Sequence, residues 1–285
     1  MIKNLSFIFY KILYFFDKFF FFLTKKSFLI WFKDFIEEDS YKFIYIHKKK
    51  VIFFVPNQTT KFRYDTFFSK EPETLKWIDN FEKKNLIFWD IGANIGLYSI
   101  YNSLKNVSSK TFSFEPSSSN LRILTRNISI NNLQKKISII PLPLTNKENA
   151  FQIMNEKAFI EGSALHAFGK NLDFKGKIFN PSMKYSLLGT TINFLIENKI
   201  LEVPNYIKID VDGIEHLILR ASNKILKNQK VKSLNIEINE NYKNQYNTII
   251  NLMRKYNFKF FRKYNNLKYS KNSKFSNTFN YIFVR

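Results

Sequence analysis

The chain contains no cysteine, which excludes a disulfide scaffold, a cysteine-based zinc site, an iron–sulfur cluster and a thiol nucleophile. The absence fits a reducing cytoplasm. Glycine and proline number only 7 each in 285 residues, so the chain is not collagen-like, elastic or disordered. No uninterrupted apolar run approaches the roughly 18–20 residues that a spanning helix requires. No small-residue cleavage site follows the aromatic N-terminus, which argues against a signal peptide. What the chain has is aromatic mass, with 33 Phe and 15 Tyr, and a net charge of +22. Its apolar fraction of 45% beside 24% charged residues describes a globular protein able to bury a core. At about 150 residues per domain, the length allows one large domain or two small ones. The basic excess is mostly lysine and comes with abundant Asn, Ile, Phe and Tyr. That is the joint bias of AT-rich codons, so the charge alone names no partner.

Residues 1–40 are aromatic and striped with lysine. Lys3, Lys11, Lys18, Lys25 and Lys33 recur at steps of seven or eight. On one helix, at about 100° per residue, they fall within an arc of about 120°. The spacing predicts an amphipathic helical segment with two destinations open to it. One is the headgroup boundary of an anionic membrane, a peripheral contact through residues 1–36 on the cytoplasmic face. The other is packing on the protein's own core or on a second subunit. Residues 41–84 read as a β-hairpin and a lead-in helix. Phe43–Ile46 and Val51–Val55 are aromatic and β-branched around His47-Lys48-Lys49-Lys50, a strand–turn–strand pattern. Glu71-Pro72-Glu73-Thr74 then opens a helix, with proline early and acids in the first turn.

The chemistry lies in residues 85–285. Leu86–Trp89 is a short, wholly apolar run, as expected of a buried parallel strand. It ends in Asp90 and the turn Gly92-Ala93-Asn94-Ile95-Gly96, after which Leu97, Ile100 and Tyr101 recur at helical spacing. A strand, a glycine turn and a helix N-terminus suit the ribose or anionic end of a nucleotide-like ligand. The glycines are four apart rather than in the G-x-G-x-x-G of dinucleotide sites. An acid two residues ahead of the turn suits an ammonium and sulfonium better than a pyrophosphate. The next strand, Thr111–Phe114, ends in Glu115, 25 residues past Asp90. That is near the offset of about 20 at which a carboxylate meets ribose hydroxyls. Further strands are expected at Ile137–Ile140, Tyr206–Ile209 and Ser233–Ile238, the last clear one. One helix is expected along Ile214, Leu217, Ile218, Ala221 and Ile225. The insertion at 145–205 shows a strand at Phe151–Met154, a turn at Glu161-Gly162 and a helix near Ile192–Ile196, and forms the acceptor side. The stretch from Tyr264 to Asn280 reads as a mobile loop. Alternating strands and helices predict an α/β fold with a Rossmann-like, doubly wound, mostly parallel sheet and an N-terminal helical and hairpin extension.

Asp-Ile-Gly-Ala-Asn-Ile-Gly-Leu-Tyr-Ser (90–99), Phe-Glu-Pro (114–116), Lys-Ile-Asp-Val-Asp-Gly-Ile-Glu (208–215) and Ile-Glu-Ile (236–238) occur in that order. The set resembles the FkbM family of S-adenosylmethionine-dependent, class I methyltransferases, from about Arg63 to the C-terminus. The first motif says only class I methyltransferase; the block at 208–215 narrows it. Asp212 stands where the family usually shows Glu, and Arg220-Ala221-Ser222 where it tends to have Gly-Ala. The resemblance implies that Asp90, Gly92, Asn94 and Gly96 hold the amino-acid and ribose portions of S-adenosylmethionine. Glu115 would take the ribose hydroxyls, Pro143 and Leu144 would border the adenine, and Asp210 and Asp212 would face the methyl acceptor.

A hydroxyl acceptor needs a base or a metal to take its proton. Asp210 and Asp212 are the candidates, as base or as ligands of a divalent cation, with Glu215 and Glu237 close by. Asp212-Gly213 also reads as turn chemistry, and Glu215 as a first-turn acid. His166 in the insertion is a further candidate base, whereas His216 reads as structural. The leading function is O-methylation of a hydroxyl on a glycan, glycolipid or related metabolite. The alternatives are an RNA or protein methyltransferase, or a catalytically silent, membrane-associated binding protein. No RNA-binding module is recognisable, so nucleic acid is not the favoured partner.

Overall fold

The structure is a computed structural model, and it describes residues 1–82, 84–265, 273 and 275–285. The N-terminal segment is a helical hairpin rather than one helix: α1 (Ile2–Thr24) and α2 (Leu29–Glu38). The break has a physical cause. Lys25 closes α1 in the left-handed region at φ 59°, and Asp17 reaches across to the start of α2. There its Oδ1 accepts from Phe28 N at 2.7 Å, Leu29 N at 3.2 Å and Ser27 Oγ at 2.9 Å, satisfying amides that a helix start leaves open. Lys33 therefore sits on α2, and the single-helix stripe stops at Lys18. No helix among the described residues is long and apolar enough to cross a membrane.

The hairpin β1 (Tyr41–Ile46) and β2 (Lys49–Phe54) pairs Ile46 with Lys49. His47 and Lys48 form its two-residue turn, both at positive φ, the backbone that matches strand twist. Then comes α3 (Gln58–Asp65), which Asn57 and Thr60 start with a reciprocal capping box. Next is α4 (Pro72–Asp79), with proline in its first turn.

The main sheet begins with β3 (Ile87–Ile91), followed by α5 (Leu97–Lys105), β4 (Lys110–Phe114), α6 (Ser118–Ile130) and β5 (Ile137–Ile140). The insertion folds as β6 (Ala150–Glu156), β7 (Ala167–Phe168) and β8 (Met183–Gly189), a separate antiparallel sheet, and then α7 (Ile192–Glu197). The chain returns through β9 (Tyr206–Ile209), α8 (Glu215–Arg220), α9 (Asn223–Lys227) and β10 (Ser233–Asn239). The one helix expected after β9 is thus two, broken where Ser222 Oγ turns back to Ile218 O at 2.7 Å. It ends with α10 (Lys243–Lys255), β11 (Lys259–Tyr264) and β12 (Thr278–Val284).

Strand order is β11-β12-β10-β9-β3-β4-β5. β5, β4, β3, β9 and β10 run parallel, and β12 is antiparallel to its neighbours β10 and β11. The sheet does not end at β10 as the sequence suggests. Thr278–Asn280, expected within a loop, begin β12; residues 266–272 and 274 of that stretch lie outside the described residues. Helices cover both faces, and Phe88 and Trp89 on β3 point to opposite cores with no exposed surface. Each such burial is worth about 1.5–3 kcal/mol, which fixes β3 at the centre and with it the turn at its end.

Candidate active site

The chain leaves β3 toward β4 on one side and reaches β9 on the other, so the strand order reverses at this pair. In a doubly wound sheet the crevice beyond the carboxyl ends at such a point takes the ligand. A cavity of about 720 Å³ opens there, with Gly92, Asn94, Glu115, Asp210, Asp212 and Glu237 in its wall. Residues 162–168 of the insertion close another side.

The glycine turn is held from behind. Gly92 N and Ala93 N both donate to Phe114 O, at 3.0 and 2.9 Å, which ties the turn to the end of β4. Gly92 has φ 86°, and a Cβ there would lie 1.9 Å from Asp210 O, so the backbones of the two strand ends touch and only glycine fits. Gly96 has φ 88° and starts α5; a Cβ there would meet Leu124 Cδ1 at 2.6 Å. Between them Asn94 N donates to Glu115 Oε2 at 2.8 Å, and Asn94 Nδ2 donates to Ser163 O at 2.7 Å. Asn94 Oδ1 is buried with no partner among the described residues. Glu115 also accepts from Ser117 N at 2.9 Å, yet burial pushes its carboxyl up to about 7 against those two bonds, the Asn120 side chain and the charge of Arg63.

In the same cavity, oxygens of Asp210, Asp212 and Glu237 lie within 4.8 Å of one another. Asp212, at φ 61°, accepts from Leu165 N at 2.7 Å. Burial, helped by the charge of Asp210, pushes it up to about 6. Burial and then the charges of Asp210, Asp212 and Glu215 raise Glu237 further. Asp210 is fixed differently: its Oδ2 accepts from Lys208 Nζ at 2.6 Å. Lys208 is 1% exposed on β9. Against its burial, the charges of Asp210, Glu71 and Asp90 hold its ammonium protonated. Glu71 is in turn pulled down to about 2 by Lys70 and Lys208, overcoming its own burial.

Of the residues singled out in the sequence, Gly92, Asn94, Glu115, Leu144, Asp210 and Asp212 share the cavity wall. Asp90 and Gly96 do not. Asp90 has no exposed surface; its Oδ2 accepts from Ser99 Oγ at 2.6 Å and its Oδ1 has no partner among the described residues. Gly96 is turned into the packing of α6. Glu237 joins the acids, whereas Glu215 braces the loop beneath them, accepting from Val211 N at 3.0 Å and Gln245 Nε2 at 2.6 Å.

His166 lines the cavity, but both ring nitrogens are engaged. Nδ1 accepts from Lys157 N at 3.3 Å, while Nε2 lies 3.2 Å from Ser163 Oγ, whose proton goes to Ala158 O. That assignment makes Nε2 the donor and leaves no free base, and burial lowers the imidazole further. His216 is buried away from the cavity against Tyr242. Lys208, Glu71, Lys70 and Arg63 were not singled out. Lys208 carried a signal, a lysine inside the otherwise apolar Tyr206–Ile209 with an acid two residues later.

A glycine turn, a carboxylate ending the neighbouring strand and a cavity at the reversal point define the Rossmann-like fold of the class I methyltransferases. The family model of the FkbM methyltransferase domain matches residues 90–260, and the chain belongs to that S-adenosylmethionine-dependent family. No curated protein sequence matches the chain. Among solved structures it is similar to the precorrin-6y C5,15-methyltransferase of Geobacter metallireducens, at 12% identity and TM-score 0.43, over 75% of this chain and 86% of that one. It is similar to TYW2 of P. horikoshii in complex with MeSAdo, at 10% identity and TM-score 0.46, over 86% and 70%. A third is TrmK of M. capricolum in complex with S-adenosyl-homocysteine, at 14% identity and TM-score 0.40, over 74% and 66%.

Proposed function

We propose that the protein methylates a hydroxyl group of a glycan, glycolipid or related metabolite. The observation that carries this reading is the acid cluster Asp210, Asp212 and Glu237 lining the same cavity as Asn94 and Glu115. The donor half fits S-adenosylmethionine on three counts. Gly92 offers bare backbone, Asn94 Oδ1 is a buried acceptor without a donor among the described residues, and Glu115 is a buried carboxyl in the cavity wall. When bound, S-adenosylmethionine supplies a methyl carbon on cationic sulfur and departs as a neutral thioether, which needs no acid.

Asn94 would accept from the amino-acid ammonium, Glu115 would take the two ribose hydroxyls, and Leu144 would border the adenine. Asp90 and Gly96 act from behind the wall by fixing the turn. Asp212 would take the acceptor hydroxyl's proton as that oxygen bonded to the donated methyl carbon and the carbon–sulfur bond broke. A carboxylate near pH 6 is basic enough to take it at neutral pH. Asp210, held by Lys208, orients the hydroxyl, so much of the rate comes from positioning. The same three acids are the set that would ligate a divalent cation, since hard oxygen donors suit Mg²⁺, and that ion would supply Lewis-acid polarisation of the hydroxyl.

Calorimetric titration with S-adenosylmethionine tests the donor half, and millimolar or weaker binding would sink it. Mass spectrometry of surface polysaccharide and lipid from a deletion strain tests the acceptor half. One glycan or lipid species should lose a CH2 per missing methyl, and an unchanged profile would rule that class out.

A further inference from the structure

We infer that the α1–α2 hairpin is a docking element for an anionic lipid surface. The inference is independent of which molecule accepts the methyl group. Nearly every side chain of α1 is exposed, among them Phe15 at 69% and Phe22 at 71%, and Trp31 on α2 stands at 62%. Monomeric proteins rarely leave a contiguous apolar surface of more than a few hundred Å² open to water. This face therefore has an occupant.

The hairpin is a built element. Asp17 is the one acid of α1, and it is turned inward and buried, bound to Ser27, Phe28 and Leu29. The base of the hairpin is fixed to the catalytic domain. Glu37 Oε1 accepts from Arg122 at 2.6 Å and Arg126 at 2.5 Å, and Arg122 also bonds Glu161 at 3.0 Å, next to the cavity wall at Gly162.

Charge decides the occupant. With Asp17 used internally, the charges that α1 presents to solvent are Lys3, Lys11 and Lys18, and the turn adds Lys25 and Lys26. At about 100° per residue the three helix lysines share an arc of about 80°, and Phe9, Ile12, Phe16 and Phe19 occupy the opposite side. A cationic stripe with an aromatic face opposite it matches anionic headgroups above an acyl boundary. A second copy of the chain would bring the same five lysines, and the exposed acids of its hairpin helices, Asp34 and Glu38 on α2, are too few to match them. No helix among the described residues is long and apolar enough to cross a membrane.

The test is sedimentation of the full-length protein with vesicles of phosphatidylcholine alone or mixed with phosphatidylglycerol. The expected result is binding to the mixed vesicles, weaker by about tenfold or more on phosphatidylcholine, in high salt, or with Lys3→Glu, Lys11→Glu and Lys18→Glu combined. Phe9→Ser with Phe16→Ser should weaken binding with every lysine retained, at an unchanged melting temperature of the catalytic domain. Sedimentation indifferent to phosphatidylglycerol and to the lysines would overturn the inference. So would a failure to bind vesicles accompanied by concentration-dependent dimers, which would make a second copy the occupant.

Discussion

Gly92 and Asp210 meet backbone to backbone: a Cβ on Gly92 would sit 1.9 Å from the Asp210 carbonyl oxygen. The turn that faces the donor and the strand tip that carries the acid are therefore one packed unit. Gly92→Ala must push β9 from β3 or abandon φ 86°, and both disturb the cavity. It should lower the melting temperature and abolish S-adenosylmethionine binding. Gly96→Ala meets a movable Leu124 methyl and should cost only about 1–2 kcal/mol of left-handed strain, with binding retained. Differential scanning calorimetry beside ligand titration separates the two.

Lys208 is the cation beneath the acids. Removing one partner of a buried ion pair strands the other and costs about 3–5 kcal/mol. Lys208→Met keeps the stem and deletes the charge, leaving Asp210, Glu71 and Asp90 without it. Urea denaturation should show a loss of that order. Adding Asp210→Asn to Lys208→Met should recover part of the stability, and a double variant no more stable than the single one would refute the coupling.

How far the sequence revealed this site follows from what each feature depends on. The parallel core was legible because Leu86–Trp89 is an apolar run ending in Asp90, Tyr206–Ile209 is apolar but for Lys208 and ends in Asp210, and Ser233–Ile238 alternates Leu234, Ile236 and Ile238 with polar residues, patterns that local chemistry writes directly. The cavity wall was legible at Gly92, Asn94, Glu115, Asp210 and Asp212 for the same reason: they follow strand ends. What escaped depends on contacts distant in sequence. Asp17 closes the N-terminal hairpin through residues 10–12 positions away, and nothing in a helical period announces that. β12 was hidden because its partner β10 lies about forty residues earlier and the intervening polar stretch reads as loop. Lys208 and Glu71 form their network only once β9 and the start of α4 are side by side. His166 looked like a free base until Ser163 and Lys157 took both its nitrogens.

Glu115 should make donor affinity depend on pH. Burial sets its carboxyl at about 7, and ribose hydroxyls donate to the ionised form. At pH 6 about one molecule in ten carries that form, so S-adenosylmethionine should bind about tenfold more weakly there than at pH 8. Glu115→Gln should be weaker at high pH and flatten this part of the profile, which separates the effect from titration of the ligand's own amine. The same raised carboxyl has a consequence for folding. It favours the protonated state, so the ligand-free protein gains stability from Glu115 as pH falls from above 7 toward 4.5. Melting temperatures across that range, with and without the donor, check the sign.

Asp212 and Asp210 should separate under substitution because their surroundings differ. Asp212, pushed up to about 6 by burial and by Asp210, is assigned the proton; Asp210, gripped by Lys208 at 2.6 Å, is assigned the orientation of the acceptor. Asp212→Asn should lower kcat by about 10²–10⁴-fold, the usual contribution of a positioned base, and remove the acidic limb near pH 6 from the residual rate. Asp210→Asn should also lower kcat but keep that limb, shifted downward, since the charge that helps raise Asp212 is gone. Donor affinity should survive in both, because the proposed donor contacts are those of Asn94, Glu115 and Leu144. A pH–rate profile of the Asp212→Asn enzyme that still bends near 6 would move the base to Glu237, the remaining carboxylate of the cluster.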